Sequence, residues 1–229
     1  MKKIGLIMGT SWKSSKEYYE MINQFVNDKL GGHHCAEMIM VNVNFQEVIN
    51  NFHNNDWNSM NMLLFNVANT LETAGADLIA ICTNALHNCA DYVSEKIKIP
   101  LIHIADATGR EILKDGLKKV GLLGAKCTMC LDFYKKRLAN YGIEVIIPTE
   151  EDMNYVDHVI FDELCKGKFI EESKKSFLNI IKKLEKAGAQ GVVLGCTEIP
   201  MLIKKEDSEI PLYDTMKLHS KTIVEYALK

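Results

Sequence analysis

Short apolar runs alternate with amphipathic stretches along the whole chain, and this alternation predicts an α/β fold. Strand-like runs lie at residues 3–8, 37–43, 77–82, 100–104, 119–124, 143–147, 191–195 and 210–213. Helical patterns lie at residues 14–29, 56–74, 88–97, 107–115, 129–140, 153–166, 170–187 and 216–228. Because apolar strands that alternate with helices are typical of βαβ units, we expect parallel sheets flanked by helices. Ser14 and Ser15 are candidate caps of the first helix.

Two pairs of segments repeat along the chain. AGADLIAICTNALH at 74–87 resembles AGAQGVVLGCTEIP at 187–200, and KKIGLIMGT at 2–10 resembles KKVGLLGAK at 118–126. Each is an apolar run that ends in small or hydroxylated residues, as expected of a buried strand that delivers polar groups to the carboxyl edge of a parallel sheet. We therefore predict two similar lobes with a shared cleft between them, formed by residues 1–105 plus 213–229 and by residues 106–212.

The composition indicates a globular protein and argues against two classes of partner. The 229 residues are 47% hydrophobic and 25% charged, which is ordinary for a chain with a sizeable core. A net charge of -3 argues against nucleic acid or an anionic membrane as the main partner. We see no apolar stretch of membrane-spanning length and no signal-peptide core, so the expected location is the cytoplasm.

The cysteines and glycines limit the cofactors that the sequence predicts. Seven cysteines, an odd number, without a secretion signal argue against a disulfide framework. Cys127 and Cys130 have CxxC spacing, but no second ligand pair accompanies them, so we predict no metal site. The first strand ends at Met8-Gly9-Thr10 without a GxGxxG pattern, which argues against a dinucleotide. No cofactor is therefore expected.

Cys196 is the strongest chemical candidate in the second lobe. It follows an apolar strand and lies beside the start of a predicted helix, where backbone N–H groups are expected to lower the pKa of a thiol. Such a thiol could act as a base or nucleophile, with Glu198 or a histidine tuning it. The alternative is a buried structural cysteine, and the duplicated context favours the chemical role.

The corresponding position in the first lobe is ambiguous. An offset of 113 residues places Thr83 opposite Cys196, whereas an offset of 114 places Cys82 there. The two AGA segments favour the first alignment. Because side chains alternate along a strand, Cys82 should face the core if Thr83 faces the cleft. A threonine hydroxyl is a poor base, although it can form a hydrogen bond or relay a proton through water.

Several polar residues near these strand ends suit a small anionic ligand. Asn84 could bind a carboxylate or cap a helix, and His87 could orient a neighbour or serve the core. Three consecutive residues after the first strand offer hydroxyl and N–H groups for a carboxylate, namely Gly9, Thr10 and Ser11. Thr128 is the matching candidate in the second lobe.

Taken together, the motifs resemble the aspartate/glutamate racemase family. They occur in order over almost the whole chain: IGLIMGTSW, CTNALH, HIADATGR, VGLLGAKCTM, FDELCKGKF, GCTEIP and LYDTMKLHS. The branch that they resemble most is that of the bacterial L-aspartate/glutamate-specific or broad-specificity amino-acid racemases. The resemblance implies two pseudo-symmetric α/β lobes with the active site in the interlobe cleft, and a homodimer. It also implies a cofactor-independent isomerase that removes an α-proton and returns one on the opposite face.

The family resemblance also implies residue roles. Typical members use two cysteines, one in a CNT(A/T)H motif and one in GCTE. The second motif matches Cys196, Thr197 and Glu198, which implies a catalytic role for Cys196, substrate binding for Thr197 and a supporting role for Glu198. The first matches Thr83 to His87, with threonine in place of cysteine and Ala85 among the substrate-binding positions. This Thr/Cys pattern implies faster action on one enantiomer, expected to be L, with Cys196 as base and a proton returned by Thr83, by water, or by Cys82.

Departures from the family pattern leave the substrate open. Ala85 and Ala125 replace threonines of many relatives, and Phe52 lies where relatives of acidic specificity tend to have a polar residue. Aspartate and glutamate remain the first expectation, with a smaller or less charged amino acid as alternative. Two rival functions are a decarboxylase or isomerase of the same superfamily that uses one cysteine, and an inactive amino-acid binding protein.

Overall fold

Two four-stranded parallel sheets form the framework of the protein. The computed structural model describes residues 1–229. The first sheet contains β1 (Ile4–Met8), β2 (Met38–Asn42), β3 (Leu78–Ile81) and β4 (Leu101–Ile102). The second contains β5 (Lys119–Gly124), β6 (Glu144–Ile146), β7 (Val192–Gly195) and β8 (Leu212–Asp214). Helices flank both sheets, and the predicted α/β fold is confirmed.

The repeated segments are the central strands of the two sheets. The strand orders are β2-β1-β3-β4 and β6-β5-β7-β8, so each half has the same topology. In the first sheet Ile4 pairs with Leu78, and in the second Gly124 pairs with Gly195. Because β1, β3, β5 and β7 are buried along almost their whole length, they read as continuous apolar runs.

Eleven helices connect the strands. They are α1 (Trp12–Leu30), α2 (Phe45–His53), α3 (Trp57–Thr73), α4 (Ala90–Ser94), α5 (Ile104–Lys114), α6 (Lys126–Cys130), α7 (Asp132–Ala139), α8 (Glu150–Asp162), α9 (Glu171–Lys186), α10 (Ile199–Leu202) and α11 (Thr215–Ala227). Short 3₁₀ turns occur at Ala85–Cys89, Leu164–Lys166 and Lys205–Asp207. None of the helices combines the length and apolar character needed to cross a membrane.

The structure differs from the sequence prediction in two helices. Helix α2 lies in a stretch for which the sequence pattern predicts no element. Asn44 caps this helix by accepting a hydrogen bond from the Gln46 N–H, and Val48 is fully buried on its inner face. Helix α1 begins at Trp12, so Ser14 and Ser15 lie inside its first turn and Ser11 occupies the N-cap position. The expectation that the two serines cap this helix is therefore wrong.

The chain divides into two compact units. One contains Met1–Ile104 with His219–Lys229, and the other contains Ala105–Leu218. Residues 213–218, which the sequence pattern joined to the first lobe, are in the second unit. Helix α3 packs on the sheet of the first unit, where Leu64 and Ile79 belong to one buried hydrophobic cluster. The cores of both units contain large aliphatic and aromatic side chains with no exposed surface.

A buried histidine fixes the C-terminal segment within the first unit. The Nε2 atom of His219 lies 2.8 Å from the carbonyl oxygen of Ile102, and Nδ1 lies 3.0 Å from the hydroxyl oxygen of Tyr18. Because a carbonyl only accepts, Nε2 must carry the proton, and Nδ1 accepts the hydrogen bond that Tyr18 donates. Burial lowers the pKa of His219 to about 4.

We expect His219 to make the stability of the protein fall with acidification. An unfolded histidine titrates near pH 6.5 and the folded one near pH 4, so the unfolded state binds more protons between these values. Neutral His219 thus contributes stability that is present above about pH 6.5 and is lost as the pH falls towards 4. The loss between pH 7 and 4.5 should be about 2 kcal/mol.

Urea unfolding at several pH values measures this effect. His219→Gln should unfold with a shallower dependence on pH than the unchanged protein. The matched control is His158→Gln, since His158 is exposed and pairs only with Asp162 on its own helix. An equal dependence on pH for His219→Gln and the unchanged protein would contradict the assignment.

Candidate functional site

Cys196 lies directly after β7, at a point where two strands approach closely. A Cβ atom on Gly124 would lie 2.7 Å from the carbonyl oxygen of Gly195, and one on Gly195 would lie 3.0 Å from that of Leu123. Glycine therefore permits close contact between the carboxyl ends of β5 and β7. The contact brings Cys196 beside the loop that follows β5.

Cys196, Thr197 and Glu198 form a hydrogen-bonded cluster in the second unit. The Cys196 thiol donates to Oε2 of Glu198 at 3.2 Å, and the Thr197 hydroxyl donates to the same oxygen at 2.7 Å. Glu198 is only 3% exposed, and its other oxygen, Oε1, is buried without a hydrogen-bond partner. A buried carboxylate with one free oxygen beside a thiol is an arrangement that can accept a proton.

The pKa of Cys196 shifts in the direction opposite to the sequence expectation. Burial, followed by the negative charge of Glu198, raises the pKa of the thiol well above its ordinary value. Helix α10 has only four residues and begins three residues later, so its dipole is too weak to offset these effects. Cys196 is consequently a thiol at neutral pH in the free protein, and a lowered pKa is the wrong expectation.

The carboxyl end of β3 presents Thr83 rather than Cys82 to the surroundings. Cys82 has no exposed surface, its N–H donates to the carbonyl oxygen of Ile7, and burial strongly raises the pKa of its thiol. Thr83 is half-buried, and its N–H donates to the carbonyl oxygen of Ile81 at 2.9 Å in a tight turn. Of these two side chains, only that of Thr83 is accessible within the first unit.

His87 holds the backbone of Thr83. Its Nδ1 atom lies 2.7 Å from the carbonyl oxygen of Thr83, and its Nε2 atom accepts a hydrogen bond from the N–H of Ile104 at 3.2 Å. The ring also lies edge-on to those of His103 and His219. Both ring nitrogens of His87 are thus engaged, which makes it a positioning residue for the strand end.

Asn84 and Ala85 follow Thr83 at the start of the 3₁₀ turn. Asn84 is buried, and its backbone carbonyl accepts a hydrogen bond from the N–H of His87. Its side chain does not cap the turn, so the capping role considered from the sequence is not observed. Ala85 is half-buried and contributes only a methyl group.

The loop between β1 and α1 has an unusual backbone. Gly9 has φ +101°, and a Cβ atom there would lie 2.2 Å from the carbonyl oxygen of Val43. Ser11 has φ 70°, a value that residues other than glycine rarely adopt. Between them, the hydroxyl oxygen of Thr10 is buried without a partner. The first turn of α1 contains no acidic residue, so the positive end of its dipole is not neutralised.

Thr128 is the counterpart of Thr10 in the second unit. It lies in α6, directly after β5, and its hydroxyl group is buried beside the thiol of Cys127. A Cβ atom on Gly195 would lie 3.4 Å from the methyl carbon of Thr128, which places this threonine beside the strand end that precedes Cys196. Each half therefore has a buried threonine hydroxyl next to its first strand.

Other residues singled out by the sequence have packing roles. Phe52 packs edge-on against Trp57 with 5.5 Å between ring centroids, which accounts for its apolar character. Burial is the main cause that raises the pKa of Cys127 to about 11, and Cys130 is exposed. No three His, Cys, Asp or Glu side chains are grouped as metal ligands.

Sequence reasoning missed the hydrogen bonds that connect distant motifs. The HIADATGR segment supplies Ile104, whose N–H donates to His87, and the LYDTMKLHS segment supplies His219, which donates to Ile102. These segments stood out as motifs, but nothing in their spacing indicated which partners they have. Only the fold brings them together.

Comparisons with known proteins agree on one family. A family model described as Asp/Glu/Hydantoin racemase matches residues 7–223. The broad specificity amino-acid racemase RacX of Bacillus subtilis is 23% identical over 169 residues, which cover 74% of this chain and 73% of that protein.

Solved structures show the same similarity in three dimensions. A Yersinia pestis protein, provisionally described as an Asp/Glu racemase, is 43% identical with a TM-score of 0.93, and the match covers 100% of both chains. An aspartate racemase homologue from Pyrococcus horikoshii is 37% identical with a TM-score of 0.87, again over 100% of both chains.

Proposed function

The chain belongs to the Asp/Glu/Hydantoin racemase family, and on this basis we propose that it interconverts L- and D-aspartate or glutamate by α-proton removal and return without a cofactor. It is an isomerase. The observation that carries the proposed chemistry is the hydrogen bond from the Cys196 thiol to the buried Glu198 carboxylate. It provides a proton donor and a proton acceptor at the end of a central strand.

In this mechanism Cys196 and Glu198 act as a pair. Glu198 accepts the thiol proton through Oε2, which gives a thiolate and a neutral carboxylic acid. The thiolate then removes the α-proton, and the bonding electrons remain on the substrate as a carbanion delocalised into its carboxylate. The raised pKa of Cys196 makes the thiolate a strong base once it forms.

Thr197 orients this pair in the proposal. The sequence suggested substrate binding for Thr197, but its hydroxyl donates to Glu198. This hydrogen bond fixes the carboxylate oxygen that faces Cys196. We therefore assign Thr197 to the positioning of Glu198.

Thr83 is proposed to serve the opposite face of the α-carbon, as the family resemblance implies. Its hydroxyl can donate a hydrogen bond or relay a proton through water, but its pKa is too far from neutrality for it to act as an efficient base. The fully buried Cys82 is set aside as the alternative. This asymmetry predicts faster exchange of the L-enantiomer.

The substrate carboxylate is proposed to bind at the β1–α1 loop of the first unit. The buried hydroxyl oxygen of Thr10 has no partner there, and a ligand would satisfy it. Thr128 is proposed as a substrate-binding residue of the second unit. The N–H groups at the start of α1 favour an anion because of the helix dipole. Ser11, Asn84 and Ala85 complete the proposed substrate-binding set in the first unit.

Proton exchange in D2O tests the proposed function. The four substrates are L- and D-aspartate and L- and D-glutamate, and NMR follows the loss of the α-proton signal. We expect exchange of at least one L-enantiomer, faster than that of its mirror image. Binding without exchange of any of the four would support a binding protein and overturn the racemase proposal for these substrates.

Glu198→Gln should separate two effects of the Glu198 carboxylate. Its charge raises the pKa of Cys196, and in the proposal it also accepts the thiol proton. Removal of the charge should lower the pKa of Cys196, so alkylation of that cysteine by iodoacetamide at pH 7.5 should become about tenfold faster. Proton exchange should fall because the acceptor is lost.

Peptide mass spectrometry measures alkylation at each cysteine. Cys130, which is exposed in the same unit, is the internal control and should react equally in both proteins. Slower alkylation of Cys196 in the variant would contradict the effect of the Glu198 charge on its pKa. Undiminished exchange would show that Glu198 does not accept the thiol proton.

We also propose that the enzyme works in the cytoplasm as a homodimer on a free amino acid. The family resemblance supports this assembly, and the net charge of -3 gives no reason to expect nucleic acid or an anionic membrane as a partner. Light scattering of the purified protein measures the assembly directly.

A further inference from the structure

We propose that Ser15 is a positioning residue that shapes the β1–α1 loop for binding of the substrate carboxylate, an inference that rests on the proposed function. The loop is Gly9-Thr10-Ser11. Ser15 lies in α1, outside the loop, and has no place in the proton-transfer chemistry. Its role follows from the hydrogen bonds of its side chain.

The loop conformation needs support because it is intrinsically unfavourable. Ser11 has φ 70° and ψ 112°, outside the regions that residues with a Cβ atom commonly adopt. Such a conformation persists only when surrounding contacts fix it, and it is found most often at functional sites. Gly9 also has a positive φ, of +101°, but glycine adopts it without strain because it has no Cβ atom.

A single atom of Ser15, its hydroxyl oxygen, stabilises the conformation of the β1–α1 loop. Its buried hydroxyl oxygen accepts a hydrogen bond from the N–H of Gly9 at 2.9 Å and donates one to the carbonyl oxygen of Ser11 at 2.9 Å. It thus joins the residues on either side of Thr10. Ser14 donates to the same carbonyl of Ser11 at 3.2 Å but makes no hydrogen bond to Gly9.

The bridge determines what the loop offers to a ligand. Because the N–H of Gly9 is occupied by Ser15, Gly9 contributes backbone shape rather than a hydrogen bond to the substrate. Thr10, fixed between the two bridged residues, has a buried hydroxyl without a partner. The side-chain group that this loop offers to a carboxylate is therefore the Thr10 hydroxyl, which lies next to the N–H groups at the start of α1.

This role predicts an effect on binding rather than on chemistry. Loss of the Ser15 hydroxyl would leave the N–H of Gly9 without this partner and would remove one of the hydrogen bonds to the carbonyl of Ser11. The loop could then leave the conformation that orients Thr10. The proton-transferring groups, Cys196 and Glu198, would be unchanged. We expect Ser15→Ala to raise KM for the preferred amino acid about tenfold, with kcat within about threefold of the unchanged enzyme.

Three variants define the test. Ser14→Ala is the matched control and should keep KM within about twofold, since it removes a bond to Ser11 only. Ser15→Thr retains a hydroxyl and should have a KM near that of the unchanged enzyme. Ser15→Cys has a weaker donor and acceptor, so its KM should lie between those of Ser15→Thr and Ser15→Ala. If Ser15→Ala is too unstable to assay, a higher KM for Ser15→Cys than for Ser15→Thr is the expected result.

Fluorescence of Trp12 gives a second readout that is independent of turnover. Trp12 adjoins the loop and is 68% exposed, and Trp57→Phe removes the other tryptophan of the chain. In that background, titration with aspartate or glutamate should give a Kd that rises about tenfold in Ser15→Ala and changes little in Ser14→Ala.

The outcomes distinguish the two proposals. Unchanged KM and Kd in folded Ser15→Ala, or an equal effect of Ser14→Ala, would overturn the positioning role and leave the racemase function standing. Binding that depends on Ser15 without proton exchange in any variant would overturn the function and keep the positioning role. An unchanged protein that neither binds nor exchanges these amino acids overturns both.

Discussion

Replacement of Cys196 by serine should lower the rate of α-proton exchange by a factor on the order of 10³. Serine is nearly the same size and can donate the same hydrogen bond to Glu198, so the cluster at the end of β7 should stay folded. Its hydroxyl, however, loses a proton far less readily than a thiol does, and it cannot supply the base. The loss should therefore appear in kcat, with the binding of substrate little changed.

Exchange in D2O with L-aspartate and L-glutamate measures this loss. Cys130→Ser is the control, because Cys130 is an exposed cysteine of the same unit and should be dispensable. Circular dichroism and thermal unfolding show whether each variant is folded. A folded Cys196→Ser protein that keeps a tenth or more of the exchange rate would exclude Cys196 as the base.

Thr83→Cys should create exchange of the D-enantiomer, or raise it by a factor on the order of 10². The variant places a thiol, with an ordinary pKa near 8.5, where the accessible hydroxyl now lies. That thiol could remove a proton from the face that Thr83 serves poorly. Exchange of the L-enantiomer should persist, because Cys196 and Glu198 are unchanged.

Two further variants identify the residue responsible. Thr83→Ser keeps the hydroxyl and should not gain D-enantiomer exchange. Cys82→Ala should leave exchange of the L-enantiomer nearly intact, since the Cys82 side chain has no exposed surface. Complete loss of exchange in folded Cys82→Ala would reverse the assignment of Thr83 and Cys82.

The strands and the location of the candidate chemistry could be predicted from the sequence. Central parallel strands are buried on both faces, so they leave continuous apolar runs, and their polar residues collect at the carboxyl ends. Cys196 and Thr83 were found for this reason. The sequence pattern did not predict helix α2 because the stretch from Val48 to Phe52 within it includes two asparagines, which weaken the helical pattern.

The electrostatics of the site could not be predicted in the same way. From the sequence, Cys196 stands before a helix, which suggests a lowered pKa. In the fold, Cys196 is half-buried and the buried Glu198 carboxylate lies 3.2 Å from its sulfur. Burial and this negative charge together reverse the direction of the shift. Similarly, the bridge from Ser15 to Gly9 and Ser11 depends on a backbone conformation that no sequence pattern announces.

The identical strand order of the two halves has an evolutionary consequence. The framework of each half can be inherited unchanged while the residue at the end of one central strand varies, because the strand order does not depend on that side chain. In the proposed mechanism, Thr83 makes proton exchange of the two mirror images unequal. Enzymes that prefer one mirror image and enzymes that accept both would then be close neighbours in sequence space, separated by a few substitutions rather than by a change of fold.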